Sequence, residues 1–375
     1  MKIRASWGQL GNQDIGTYPF SSDVNLGLKY VFNKQVISGA GITDLANTEI
    51  SWETTTATNV GLDVTLFNHL NLVAEYYYKV TDDILLALDI PRIIGMNAPD
   101  QNAGKVENRG WDLGLNYSNW ERAFKYEIGF NISDVKNKVL DLKGVNKTGT
   151  TVNHEGYPMY SIYGLEADGL ISEDDFDDQG TYLHAKQYGT IAPGDIKYID
   201  QNNDSIINSN DYKIIGETIP RFTFGFNFNA KYKNFDFGLF LQGVGKADGL
   251  IRDQGIMPFL MGGTVQEQHK DRWTPENQDA SFPRFAFNET NNEQTSSFWM
   301  RNAAYMRLKN LQVGYSLPQS VIRKIKAQQF RVYLSGQNLL TIDNFWDGYD
   351  VEAPVGNGGY YPQVKTYSIG IDVKF

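Results

Sequence analysis

The sequence contains no cysteine, which excludes disulfides, thiolate metal sites and cysteine nucleophiles. It contains no apolar run of about 18 residues, so no helix spans a membrane; a barrel is not excluded, because its strands expose only alternate residues to lipid. Basic residues are in deficit: Lys and Arg number 34 against 44 Asp and Glu, for a net charge of -10. Phosphate backbones are bound by clustered Lys and Arg, so nucleic acid is not an expected partner. There are only 4 histidines, His69, His154, His184 and His269, and none forms an H-x-x-H or H-E-x-x-H pair. They read as loop or surface residues, and no enzyme is expected. The opening stretch "MKIRASWGQLGNQ" lacks the apolar segment of a signal peptide.

What is present is alternation. Apolar residues make up 41% and charged residues 21% of 375 positions, and aromatics are abundant, with 22 Tyr, 21 Phe and 7 Trp. That load suits strands and interfacial girdles. In "RFTFGFNFNAKY", Phe222, Phe224, Phe226, Phe228, Ala230 and Tyr232 share one face, opposite Arg221, Thr223, Gly225, Asn227, Asn229 and Lys231. The same period of two recurs in "NVGLDVTLFN", "LNLVAEYYYKV", "GWDLGLNYS", "KYEIGFNIS", "FDFGLFLQG", "NLQVGYSL", "FRVYLSGQN" and, more weakly, "KIRASWG". The closing "TYSIGIDVKF" sets Tyr367, Ile369, Ile371, Val373 and Phe375 on one face. The polar partners are mostly Gly, Asn, Asp, Ser, Thr and Gln, as in a wide wet lumen.

Connections between these strands alternate in length. Turns such as "NH", "NWE" and "KN" are of hairpin size. The others span about 10–54, 82–105, 135–219, 246–300 and 341–363, longer than the loops of compact soluble domains. One short connection, "LPQSVIRKIKAQQ", reads as a turn or two of helix begun by Pro318. The pattern predicts an all-β, antiparallel up-and-down transmembrane β-barrel of about ten strands, with short turns on one side and long extracellular loops on the other. The last strand runs toward the short-turn side, where Phe375 joins the aromatic rim.

The sharpest local motif is "DQNNDSIINSND", with the spacing of a calcium loop. Asp200, Asn202 and Asp204 take positions 1, 3 and 5, the Ile206 carbonyl position 7, and Asn208 and Asp211 positions 9 and 12. Ser205 replaces the turn glycine and Asp211 the bidentate glutamate. A weak structural calcium site and an empty Asx-rich turn fit equally. No cofactor is required beyond this candidate Ca2+. "GVGKADG" lacks phosphate-loop spacing, and the acidic run at 173–178 reads as solvated loop. Three loop stretches, "YPMYSIYG", "FWDGYD" and "GGYYP", offer Tyr157, Tyr160, Tyr163, Trp346, Tyr349, Tyr360 and Tyr361 as aromatic contacts for a ligand or a protein lid, or for packing among the loops.

The stretch "AYMRLKNLQVGYSLPQSVIRKIKAQQFRVYLSGQNLLTI", then "GYDVE" and "YYPQVKTYSIGIDVKF", resembles the C-terminal end of SusC/RagA-type TonB-dependent outer-membrane transporters. So do "RASWGQLGNQDIGTYPF", "WETTTATNVGLDVTLFN", "NAGKVENRGWDLGLNY", "EGYPMYSIYGLEADGL" and the region around 194–243, in order along nearly the whole chain. The resemblance implies the C-terminal strands of a 22-stranded barrel in the outer membrane of a Gram-negative bacterium. It implies active uptake of oligosaccharides or peptides through the TonB complex, a SusD-like surface lipoprotein over the loops, and Phe375 as the signal read by the outer-membrane assembly machinery. Residues 1–375 would then be one barrel portion, lacking plug domain and N-terminal strands. Two other readings are a stand-alone small pore and a soluble secreted all-β glycan-binding protein.

Overall fold

The computed structural model describes residues 1–13, 20–87, 90–144, 146–148, 150–287 and 289–375. Its centre is a 10-stranded antiparallel sheet in which neighbours in sequence are neighbours in space. The strands are β1 (Lys2–Asn12), β2 (Glu53–Leu66), β3 (Leu70–Ala87), β4 (Asp100–Asn119), β5 (Phe124–Asp141), β6 (Arg221–Tyr232), β7 (Phe235–Lys246), β8 (Tyr305–Ser316), β9 (Gln329–Asp343) and β10 (Thr366–Lys374). β1 and β10 are its two edges and do not pair with each other, so the sheet is open and the self-closing small pore is not formed.

Register carries the alternation from strand to strand. Val60 faces Tyr76, Tyr76 faces Trp111, Leu113 faces Ile132, and Ile132 faces Phe224. Paired residues lie on one side of a sheet, so the apolar sets fuse into one continuous face. That face is uncovered: Leu334, Ile369 and Ile371 are 61%, 74% and 64% exposed. An apolar surface of this extent has the pattern of a barrel's outer wall and not of a core. A row of rings borders it at the short turns. His69 lies 6.2 Å from Tyr117, Tyr117 is 5.7 Å from Tyr126, Phe124 is 6.3 Å from Tyr232, and Phe235 is 4.8 Å from Tyr315. Trp7, Tyr76, Tyr78 and Trp111 lie on the same face toward the long loops. From Tyr117 to Trp111 the strand covers about 20 Å, near the height of a barrel's apolar band.

The other face is polar. Arg4 Nε and Nη2 donate to both Asp63 oxygens at 3.0 and 2.9 Å, and Nη1 reaches Glu75 at 3.2 Å. Arg331 Nε donates to Asp236 at 2.8 Å, and Asn116 to Glu127 at 2.9 Å. The Tyr77 ring lies over Gly110, where a Cβ would collide with its hydroxyl and with the Asp134 carbonyl.

Phe67 and Asn68, at φ 52° and 60°, turn the chain sharply between β2 and β3. β8 leads into α1 (Gln319–Ile322), preceded by Pro318 and followed by a 3-10 turn, as its sequence predicts. Gln329 pairs with Lys374, so β10 does run to the short-turn rim, and Phe375 beyond it is exposed. β3, β4 and β5 extend past their alternating stretches, to Ala87, from Asp100 and to Asp141. Their upper ends carry Asp82, Lys105, Glu107, Arg109, Lys136 and Lys138, so the period of two fades where the strands leave the apolar band.

The long connections are not structureless. The one between β1 and β2 contains a hairpin, Val24–Phe32 with Gln35–Ile42, turned by Asn33 and Lys34 at φ 47° and 62°. Those between β5 and β6, β7 and β8, and β9 and β10 build the hydrophobic core of the molecule.

Candidate functional site

The loop assembly stands at one end of the sheet, and its core is drawn from three of the long connections. Ile162, Leu165 and Ile196 come from the first, Leu250, Ile251 and Trp299 from the second, and Phe345, Trp346 and Val351 from the third. Trp299 is fully buried and its Nε1 donates to the Asn292 carbonyl at 3.0 Å. Short strands fold the first two connections on themselves and tie the second to the third. Ser161–Gly164 pairs with Lys213–Gly216, and Ala167–Leu170 with Ile196–Tyr198. Asp248–Ile251 pairs antiparallel with Met300–Asn302 and parallel with Val355–Gly356.

Buried polar groups complete the stitching. Asp195, with no exposed surface, receives Arg284 Nη2 at 2.9 Å, Asn292 Nδ2 at 2.8 Å and the Ala192 backbone N–H at 2.8 Å. Asn291 Nδ2 donates to the Ile196 carbonyl at 2.7 Å, and the Tyr198 hydroxyl donates to the Asn291 carbonyl at 2.7 Å. Arg307, at the loop end of β8, is 4% exposed; it meets Asp350 at 2.9 Å and Glu352 at 3.2 Å. Apart from the Ala192 contact, these partners are separated by 43 to 97 residues, so no local signal in the sequence marks them.

Two ionisable groups hold individual loops. Burial would raise the Asp175 carboxyl, but Lys197 Nζ at 2.7 Å, the Ser172 backbone and His184 hold it at about 2. Burial lowers the pKa of His269, whose Nδ1 accepts from the Gln266 N–H at 2.9 Å while Nε2 donates to the Ile256 carbonyl at 2.8 Å. That pairing fixes one neutral tautomer. His269 lies in a long connection, as a loop histidine, but is only 1% exposed and serves as a core hydrogen-bonding residue.

The seven aromatic candidates separate into two groups. Tyr157, Tyr160, Tyr360 and Tyr361 are 46%, 50%, 61% and 86% exposed. Trp346 is buried: its Nε1 donates to the Trp299 carbonyl at 3.3 Å and the Arg301 guanidinium lies 3.7 Å from its ring centroid. It packs the loop core and presents no face to a ligand. Tyr163 packs edge-on against Tyr212, centroids 5.5 Å apart, and the Tyr349 hydroxyl donates to the Gly255 carbonyl.

The 200–211 loop is a chain of side-chain-capped turns. Asp200 accepts from the N–H groups of Asp204 and Ser205 at 3.3 and 2.8 Å, and Asn202 from that of Asp204 at 2.9 Å. Asp204 accepts from Ile206 N–H at 2.9 Å, while Asn208 Nδ2 donates to the Ile206 carbonyl at 3.1 Å. Asp211, wholly buried, accepts from Gln201 and Asn208 N–H at 2.9 and 2.8 Å. Ser205 adopts φ 66°, the conformation that a glycine would take at this position. Among the described residues no three Asp, Glu or His side chains converge as a metal cage. The donors are hard oxygens of the type calcium takes, but several already turn the backbone.

The comparisons with known proteins bear on the sheet and the loops alike. Residues 1–339 match the family model described as TonB dependent receptor-like, beta-barrel. The whole chain aligns at 34% identity with TonB-dependent receptor P3 of Formosa agariphila, covering 39% of that protein. It aligns at 24% identity with TonB-dependent receptor SusC of Bacteroides thetaiotaomicron, covering 37% of it. The fold matches the structure of the RagAB peptide importer in its open-open state, with a TM-score of 0.79 at 24% identity, over 100% of this chain and 40% of that one. The chain thus spans about two fifths of the length of the relatives it matches. With an exposed apolar wall, a polar inner face, aromatic rows and a family model matched over most of its length, the chain belongs to the TonB-dependent receptor-like β-barrel family, with SusC/RagA-type members among its relatives.

Proposed function

We propose that this chain forms part of the wall and the outer loop assembly of a SusC-like TonB-dependent transporter in the outer membrane, importing oligosaccharides or peptides. The observation that carries this is the sheet's division: one face apolar and uncovered between two aromatic rows, the other lined with ion pairs such as Arg4–Asp63 and Arg331–Asp236. A wall of that construction separates lipid from a wet passage. Transport, not catalysis, is the role proposed for it. The soluble glycan-binding reading fails to account for the exposed face.

In this reading the long loops are extracellular, and the exposed Tyr157, Tyr160, Tyr360 and Tyr361 meet the substrate or a SusD-like lipoprotein lid. Rings stack on sugar faces and serve equally at protein interfaces. TonB supplies the energy through a plug, and Phe375 at the short-turn rim is offered to the assembly machinery. The test is uptake of labelled oligosaccharide and peptide pools by cells carrying the polypeptide that contains these residues. TonB-dependent uptake supports the proposal, and Tyr360→Ala with Tyr361→Ala should weaken it several-fold. Uptake unaffected by loss of TonB would sink active transport.

Calcium in the 200–211 loop is proposed on its oxygen donors: Asp200, Asn202, Asp204, Asn208, Asp211 and the Ile206 carbonyl. Calorimetry showing no calcium heat, with no change in melting on Asp204→Ala, would leave the loop as a purely self-capped turn.

A further inference from the structure

The outer face of the sheet changes character at the upper aromatic row. Moving from Trp111 toward the loops, β4 presents Arg109 and then Glu107 on the same side. Across the ladder Arg109 stands opposite Lys136, and Glu107 opposite Lys138. With Arg221, Glu217, Ile219 and Pro158 they line a cleft of about 280 Å³.

Some of these charges are answered. Arg221 is locked onto Asp134, Glu107 accepts from the Tyr78 hydroxyl at 3.0 Å, and Lys105, one step higher, meets Asp82 at 2.7 Å. Lys136 and Lys138 are exposed, and neither has an ion-pair or hydrogen-bond partner among the described residues. Arg109 makes only a loose contact with Glu107, at 3.6 Å, and half of its side chain is exposed. Like charges placed directly opposite in a ladder repel, and Arg109 and Lys136 are so placed. An anion seated between them relieves that repulsion.

Height decides the occupant. Arg109 lies about 7 Å along the strand from Trp111 and directly opposite Tyr78, level with the upper aromatic row, where girdle rings meet the headgroups. Lys and Arg clustered at a membrane surface attract anionic headgroups. We propose that this cleft binds the phosphate of a membrane-lipid headgroup from the leaflet on the long-loop side, through Arg109, Lys136 and Lys138. The proposal rests on the reading of the apolar face as lipid-facing.

The experiment compares the detergent-solubilised protein with its Lys136→Gln/Lys138→Gln variant. Both positions are exposed, so the fold does not depend on them. Melting is followed during titration with mixed micelles containing phosphatidic acid, with micelles containing phosphatidylcholine, and with inorganic phosphate. Phosphatidic acid should raise the melting temperature, and the variant should need on the order of tenfold more of it. Phosphatidylcholine and inorganic phosphate should do little. Equal half-saturation in the two proteins overturns the cleft as a site. Inorganic phosphate as effective as phosphatidic acid overturns the lipid assignment. A protein that remains dispersed without detergent overturns the lipid-face reading, and this proposal with it.

Discussion

At the scale of single residues, buried ion pairs and close backbone approaches decide most. Arg307 and Asp350 are 5% and 7% exposed at their side chains. Removing one member of such a pair strands the other without compensation, a loss of about 3–5 kcal/mol. Arg307→Met should therefore melt earlier and expose 344–365 to protease first; unchanged cleavage there would refute the clamp. Gly110 sits beneath the Tyr77 ring and against the Asp134 carbonyl, and backbone cannot step aside as a side-chain tip can. Gly110→Ala should lower the yield of folded protein in a heat-modifiability gel, where Gly8→Ala, with open space around its Cβ, should not. The sequence shows Gly110 only as one more small residue on a polar face. Neither the ring above it nor the partner of Arg307 is legible from spacing, because both lie on other strands or loops.

At the scale of elements, the strands of the wall were legible and the loops were not. Phe222 to Tyr232 declares a strand because lipid and water each claim alternate residues. A loop such as 142–220 has no such periodic solvent, and its short strands pair with one another across as many as about 50 residues. The Val24–Phe32 hairpin also escaped, because its two faces are both exposed and its turn residues are Asn33 and Lys34 rather than Asn-Gly. The loop core predicts its own failure modes. Trp299→Ala should cost about 3–5 kcal/mol by opening a cavity, read as faster hydrogen exchange across 160–200 and 247–304 while β2 to β5 keep their protection. Equal loss in the wall would deny the core its separateness.

The loops also carry a pH response. Burial disfavours the charged form of His269, so below the ordinary imidazole value of 6.5 the unfolded loop takes up a proton that the folded loop refuses. Its stabilising contribution is full above that value and falls as pH drops through it. Proteolysis around 256–271 should accelerate between pH 7.5 and 5, and His269→Gln should flatten the profile. Asp175 behaves differently. Held at about 2 against an ordinary 3.8, it contributes above that ordinary value and loses its contribution only as pH falls from there toward 2. The segment 172–198 should hence keep its protection at pH 5.

At the scale of the whole molecule, two hydrophobic systems coexist and are spatially distinct. One is the outer wall, apolar toward its surroundings; the other is the loop core, apolar toward itself. Detergent should be needed for the first and irrelevant to the second. Near-ultraviolet signals from Trp299 and Trp346 should persist when amphiphile type is varied, while Trp111 fluorescence shifts with it. The opposite pattern would mean that the wall is covered by protein and not by lipid.

The tie between Arg307 and the pair Asp350 and Glu352 fastens a loop to the strand itself. A load applied at Tyr360 or Tyr361 passes down the 344–365 connection and, through the parallel bridge of Leu250 to Val355, into its neighbour. Such a cap is stiff in the manner of a braced frame: it cannot swing without flexing the wall beneath it. Any shift of that loop is therefore shared with the strand that carries it and with the neighbouring connection.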